Sequence, residues 1–169
     1  MIGEVRQQID HIREQEVRQA SHLLHPSIIR VGLVPAVRSL AERFHESFEV
    51  DIQVDAGLAA IDDPAENRIP EELRLASYRV LEEALNNIYR HAGATRVAIC
   101  LRATADQEIH LTIQDDGRGF NPARLRPGLG LSSIADRVGQ VGGLWKITSA
   151  VGAGTTLTAT LPLLPPESA

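Results

Sequence analysis

Strict alternation of apolar and polar positions marks the first strand: Phe48-Glu49-Val50-Asp51-Ile52-Gln53-Val54-Asp55 puts every second side chain on one face. The same two-residue period recurs at Val97, Ile99 and Leu101, and again at Ile109, Leu111 and Ile113, predicting two further strands. Trp145 and Ile147 mark another, and residues 155–163 a last one after the turn Gly152-Ala153-Gly154. Between these runs the period lengthens to that of a helix. Leu73, Ala76, Val80, Leu81, Ala84, Leu85 and Ile88 form the apolar face of a long helix that starts at Pro70 and runs to about His91. A second helix, from Leu131 to Val141, closes at Gly142-Gly143. Upstream, Ala36, Val37, Leu40, Ala41 and Phe44 share one side of a helix that begins near Pro35, a residue suited to a first turn. Val5, Ile9, Ile12, Val17, Ala20 and Leu24 make a thin apolar stripe on a polar helix that Pro26 ends, as expected for a helical hairpin or dimer bundle. Residues 56–69 and 116–129 read as loops, the latter rich in Gly and Pro. From residue 48 the order is β-α-β-β-α-β-β, which predicts an α/β two-layer sandwich: a mixed sheet with helices on one face, preceded by an N-terminal helical segment.

Composition narrows the class. The 169 residues suffice for one domain with a real core, and 43% hydrophobic content with mixed charge describes a soluble globular protein. A net charge of −5 gives no reason to expect nucleic-acid or anionic-membrane binding. Cys100 is single, which excludes an internal disulfide or a cysteine metal cluster and fits a reducing cytoplasm. No apolar run approaches the ~20 residues of a membrane span, so this segment is expected to make no direct membrane contact, although a larger parent protein with an anchor fits equally well.

Three blocks carry chemistry. Glu83-Ala84-Leu85-Asn86-Asn87-Ile88-Tyr89-Arg90-His91 places Glu83, Asn87 and His91 at i, i+4 and i+8, one stripe of a helix. The Asn87 side-chain oxygen suits a Mg²⁺ ion that keeps most of its waters and its nucleotide phosphates. Glu83, one turn away, can orient or deprotonate an attacking group, and Arg90 can reach phosphates. Next, Asp115 ends a strand and opens Asp115-Asp116-Gly117-Arg118-Gly119-Phe120. A carboxylate at a sheet rim can accept a hydrogen bond from an exocyclic amine such as adenine's, and Gly117 and Gly119 let backbone approach a planar ring. Finally, Gly128-Leu129-Gly130-Leu131 leads into a helix whose free N–H groups suit phosphate. Taken singly, each block has an ordinary explanation: a solvated helix face, a hairpin turn and a loop-to-helix junction. The order of all three, with these elements between them, points to a nucleotide site. Neither a P-loop nor a Rossmann fingerprint is present.

The blocks resemble the ATP-binding domain shared by histidine kinases, gyrase, MutL-type repair proteins and heat-shock chaperones, the GHKL group with the Bergerat fold. The resemblance covers roughly residues 48–163. Glu83 to His91 looks like its N box, Asp115-x-Gly117-x-Gly119 like its first glycine box, Gly128-x-Gly130-Leu131 like its second, and Gly154-Thr155 like its closing Gly-Thr. It implies ATP and Mg²⁺ as cofactors and Glu83 as general base. It implies Asn87 as the Mg²⁺ ligand and Asp115 on the adenine amine, supported by Thr155. Asn86, Arg90, His91, Gly117, Gly119 and Phe120 would surround the nucleotide, with Gly128, Leu129, Gly130 and Leu131 near the phosphates at the end of a short lid, residues 120–127. So short a lid is more similar to that of histidine kinases than to that of gyrase or chaperones.

His25-Pro26 followed by Gly32 to Phe44 further resembles the junction between dimerisation hairpin and ATPase domain in kinases of the nitrate-sensor and membrane-fluidity-sensor class. That class carries its phosphorylated histidine in a His-Asp dipeptide, which this chain lacks. Residues 3–24 therefore match the second hairpin helix, and the acceptor helix is missing or diverged. His11, His22 and His25 are ordinary surface histidines at first reading, with His22 and His25 the better candidate phospho-acceptors. The expected organisation is a helical segment with linker over 1–46, the catalytic domain over 47–164 and a tail over 165–169. The expected function is ATP-dependent phosphorylation of a histidine for relay to a response-regulator receiver domain, with a partner dimerisation helix or homodimer. Two alternatives stay open: an anti-sigma-type serine-protein kinase of the same fold, and a non-catalytic ATP-sensing module.

Overall fold

A computed structural model describes residues 27–105, 107–124 and 129–163. Five strands form one mixed sheet: β1 (Glu49–Val54), β4 (Arg96–Ala103), β5 (Glu108–Asp115), β6 (Leu144–Ser149) and β7 (Thr155–Pro162), in the order β1-β4-β5-β7-β6. β1 runs parallel to β4, and the other pairs are antiparallel. The predicted alternation appears as one buried face in β4 and β5, while the apolar positions of the edge strands β1 and β6 are half-buried. Val97, Ile99 and Leu101 lie beside Asp115, Ile113 and Leu111 of β5. Those in turn lie beside Thr155, Leu157 and Ala159 of β7. The opposite face is polar and carries Thr112, Thr158 and Thr160. Cys100 lies on this face, half-buried and next to Thr112, as its place between Ile99 and Leu101 in the alternation requires.

Three helices cover the apolar face: α1 (Leu33–Glu42), α3 (Glu71–Asn87) and α4 (Leu129–Gln140). Their predicted stripes form one core with the sheet; Leu33, Val37, Leu81, Leu85, Ile134 and Val138 are all at or below 1% exposure. α3 is central and packs against both α1 and α4. Glu82 of α3 pairs with Arg79 one turn back on the same helix at 2.7 Å and with Arg43, just past the end of α1, at 3.3 Å.

Residues 56–69 are not a plain loop. They hold the short helix α2 (Ala56–Ile61) and a two-stranded ribbon, β2 (Asp62–Asp63) with β3 (Glu66–Asn67). Asp55 caps α2 by accepting the Leu58 N–H at 2.7 Å, the signal that the Gly and Pro content of this stretch obscured. α4 starts at Leu129, so Gly130 and Leu131 lie in its first turn and not before it.

Residues 27–31 are helical and the chain breaks at Gly32 before α1 begins. Two buried charges grip this break from opposite sides. Asp62 accepts the Leu33 and Val34 N–H groups at 2.7 Å each and the Asn67 amide at 2.8 Å. Arg74, on α3, donates to the carbonyls of Ile29 at 2.7 Å and Arg30 at 3.0 Å. The carboxylate thus meets the positive start of one helix and the guanidinium the carbonyl end of the other, each satisfying groups left without helical partners. A Cβ on Gly32 would sit 2.9 Å from the Asp62 carboxylate, so the side chain is absent where the carboxylate must approach. Among the described residues no helix is long and apolar enough to cross a membrane.

Candidate nucleotide site

α3 carries Glu83, Asn86 and Asn87 on its last two turns, all half-buried. Glu83 and Asn87 keep the predicted i, i+4 relation. Beyond Asn87 the helix widens into a π-turn, Ile88–Ala92, that ends at Gly93 in the left-handed conformation. The wider turn takes His91 off the i+8 stripe, which corrects the alignment expected from uninterrupted α-helical spacing. Arg90 and His91 are exposed on this turn. The turn is held against the end of α1 by Tyr89, whose ring meets Phe44 edge-on at 6.2 Å, while Phe44 stacks on Phe48 at 5.5 Å.

Asp115 is the last residue of β5 and is 4% exposed. Its carboxylate accepts the Gly117 N–H at 2.8 Å, and Thr155, its register partner on β7, offers its N–H and hydroxyl as donors beside it. Burial raises its pKa above the usual carboxylate value, and these donors work against the rise. Asp116, one residue on, points the other way and is exposed. It accepts the Thr95 N–H at 2.8 Å, the Thr95 hydroxyl at 2.7 Å and the Arg96 N–H at 2.9 Å. These donors, led by the Arg96 N–H, hold it down at about 2.

Asp116 is a residue that sequence reasoning left without a role. It zips the glycine turn onto the segment that follows the π-turn, and Arg118 N–H to the Ala92 carbonyl at 2.9 Å completes the seam. The structure thereby brings the Asn87 end of α3 beside the Asp115 turn. Gly117 is required at this seam, because a Cβ there would lie 2.6 Å from the Ala92 carbonyl oxygen. Gly119 adopts φ +58 and presses on the Ala150 carbonyl, joining the same turn to the β6–β7 connection. Ser149 at the end of β6, also unassigned by sequence, accepts the Phe120 N–H at 2.9 Å, donates to the Gly154 carbonyl at 2.8 Å and lies 3.1 Å from the Thr155 hydroxyl.

The rim therefore comprises Glu83, Asn86 and Asn87 from α3, Arg90 and His91 from the π-turn, Asp115 to Phe120, and Ser149 with Thr155. The helix that starts at Leu129 packs along α3. Gly128, residues 125–127 of the expected lid, the candidate acceptors His22 and His25, the N-terminal hairpin helix and the tail lie outside the described residues. No cluster of three or more His, Cys, Asp or Glu side chains able to hold a metal exists among the described residues. A single amide oxygen and a carboxylate one turn apart instead fit an ion held chiefly by water and phosphate oxygens.

A family model described as "Histidine kinase-, DNA gyrase B-, and HSP90-like ATPase" matches residues 72–165, from the start of α3 through the last strand. The chain belongs to this family. Among similar proteins, the sensor histidine kinase MctS of Rhizobium johnstonii is 35% identical over 153 residues, covering 88% of this chain and 32% of MctS. The sensor histidine kinase NarS of Mycobacterium tuberculosis is 34% identical over 155 residues, covering 88% of this chain and 34% of NarS. The chain thus spans about a third of the length of these relatives. Among solved structures, the histidine kinase domain from the Erythrobacter litoralis EL346 blue-light activated histidine kinase superposes with a TM-score of 0.60 at 23% identity, over 78% of this chain and 61% of that one. The mycobacterial sensor histidine kinase MprB gives 0.56 at 21% identity, over 78% and 95%. At these identities the structural likeness concerns the fold: the two-layer sandwich and mixed sheet expected from the sequence are those of a histidine kinase ATPase domain.

Proposed function

We propose that this GHKL ATPase domain is the catalytic domain of a two-component sensor histidine kinase, and that it passes the γ-phosphate of ATP to a histidine for relay to a response-regulator receiver domain. The observation that carries this reading is the seam at Arg118 and Ala92, which sets an adenine-reading carboxylate beside the helix end that bears Asn87. Asp115 accepts the adenine amine. Asn87 offers an amide oxygen to Mg²⁺, and Glu83 one turn earlier orients the incoming nucleophile or takes its proton. Arg90 and His91 lie where phosphates can be met. ATP with Mg²⁺ supplies a transferable phosphoryl group with its charge neutralised, so the chain's own task is positioning and electrostatic stabilisation. The acceptor histidine is supplied by a dimerisation helix of a partner or of a longer parent chain, within a homodimer, and the domain works in the cytoplasm.

Incubation with Mg²⁺ and γ-labelled ATP tests this. ATP binding that is lost in Asn87→Ala only when Mg²⁺ is present supports the metal assignment. Acid-labile, alkali-stable label appearing on an added dimerisation hairpin supports histidine phosphorylation. Acid-stable label on a partner's serine would support the anti-sigma-type alternative, and ATP binding with no transfer to any added acceptor would support a sensing module.

A further inference from the structure

Asp116 and Arg118 clasp the connection between the π-turn and β4 at both of its ends. That connection is short: Gly93, Ala94 and Thr95, turning at Gly93 with φ +60. At the β4 end, one Asp116 carboxylate oxygen accepts the N–H groups of Thr95 and Arg96 at 2.8 and 2.9 Å. The other oxygen accepts the Thr95 hydroxyl at 2.7 Å, which uses that hydroxyl's one proton. At the π-turn end, the Arg118 N–H donates to the Ala92 carbonyl at 2.9 Å, with Gly117 pressed against the same carbonyl. The sheet holds the carbonyl side of this segment: Thr95 accepts the Glu49 N–H at 3.0 Å and Arg96 the Asp116 N–H at 3.2 Å. The Asp116 carboxylate holds its N–H side, so losing it leaves three donors to water.

We infer that Asp116 is a positioning residue: by fixing this connection it sets the span between the Asp115 end of the site and the end formed by Asn87 and the π-turn. It thereby favours ligands that engage both ends at once. The inference rests on the nucleotide reading above. A ligand with a base and phosphates gains from two contacts held at a fixed span. A ligand that engages the base end alone gains nothing from it. Electrostatics acts in the opposite direction, because removing a carboxylate from the rim lowers repulsion of the phosphates and tightens ATP. Positioning and charge therefore give opposite signs for the loss of Asp116.

The experiment measures ATP affinity with Mg²⁺, and adenosine affinity, in wild type, Asp116→Ala and Asp116→Asn at neutral pH, well below each melting temperature. Asp116→Ala is expected to bind ATP about 10-fold more weakly and adenosine within about 2-fold of wild type. Asp116→Asn should restore the ATP-to-adenosine affinity ratio. Its amide oxygen can accept both N–H groups, and its amide nitrogen can donate to the Thr95 hydroxyl oxygen. A purely structural role would leave the ratio unchanged. Equal losses for both ligands, no loss for either, or tighter ATP binding in Asp116→Ala would overturn the inference. So would an Asp116→Asn ratio as low as that of Asp116→Ala. If Asp116→Ala does not fold, Thr95→Val removes only the hydroxyl arm and should lower the ratio about 2- to 3-fold. An unchanged ratio in that variant overturns the inference as well. A wild-type chain that binds neither ligand would sink the nucleotide reading itself. A wild-type chain that binds ATP but not adenosine would sink only the role of Asp116, because the base end would then have no hold of its own.

Discussion

Gly154 lies so close to the backbone of Asp115 that a Cβ on it would overlap the Asp115 carbonyl oxygen. The turn before the last strand is thus pressed onto the residue expected to read the base. Gly154 also holds φ +70, which costs an L-residue about 1–2 kcal/mol before any overlap is counted. Gly154→Ala should destabilise the chain by at least about 2 kcal/mol in urea unfolding and displace Asp115. ATP affinity should fall with it. A variant of wild-type stability with unchanged ATP affinity would contradict this packing.

Asp115 should show opposed effects on stability and binding. Burial raises its pKa in the folded state, so folding favours its protonated form. Its contribution is fully present below the unfolded value of 3.8 and is lost as pH rises through the folded pKa, leaving the ionised carboxylate a cost at neutral pH. Asp115→Asn should therefore melt at or above the wild-type temperature at pH 7. It should also bind ATP roughly 10- to 100-fold more weakly, because the amide turns a donor toward adenine in place of a charged acceptor. Calorimetry with nucleotide titration checks both, and a parallel fall in the two would show that Asp115 mainly holds the fold.

Asp116 has the opposite sign. Its folded pKa is about 2 against an unfolded 3.8, so it stabilises above 3.8 and that contribution disappears as pH falls toward 2. Asp116→Asn should be less stable than wild type at pH 7, with the gap closing between about pH 3.8 and 2. Denaturant midpoints measured across that interval read the convergence directly; a constant gap would mean that the bonds to Thr95 and Arg96 do not depend on charge.

Asp62 joins two segments 28 and 29 residues apart in sequence by capping α1. Asp62→Ala should cost about 2–3 kcal/mol, since it removes a cap and leaves the partly enclosed N–H groups of Leu33 and Val34 unpaired. Hydrogen exchange at those two amides should accelerate more than exchange at Leu81 or Leu85 in the core. Uniform acceleration would point instead to global loosening.

Period-two and helical patterns made the sheet and its three covering helices legible, because one face of each element is buried and polarity must follow it. α2 was not legible: it is six residues long, contains a glycine and buries only Leu58, so it has no periodicity to read. The widening after Asn87 was equally silent, because Ile88 to Ala92 suits α and π registers alike. Within the site, sequence supplied residues whose chemistry announces itself, such as Asp115 with its glycines. It missed those whose role is defined by long-range partners. Asp116 reaches back 21 residues to Thr95, and Ser149 reaches 29 residues to Phe120. Such pairings follow from strand order, which local pattern does not encode.

The break at Gly32 has a mechanical consequence. Residues 27–31 do not run into α1 as one continuous rod, so the angle between them is held by Asp62 and by Arg74 of α3. A torque applied to residues 27–31 would fall on these two charged contacts instead of being spread along a continuous helix. One of those contacts is on α3, whose far end bears Asn87 about 20 Å away. The same helix is thus both the axle on which residues 27–31 are seated and the beam that carries Glu83, Asn86 and Asn87.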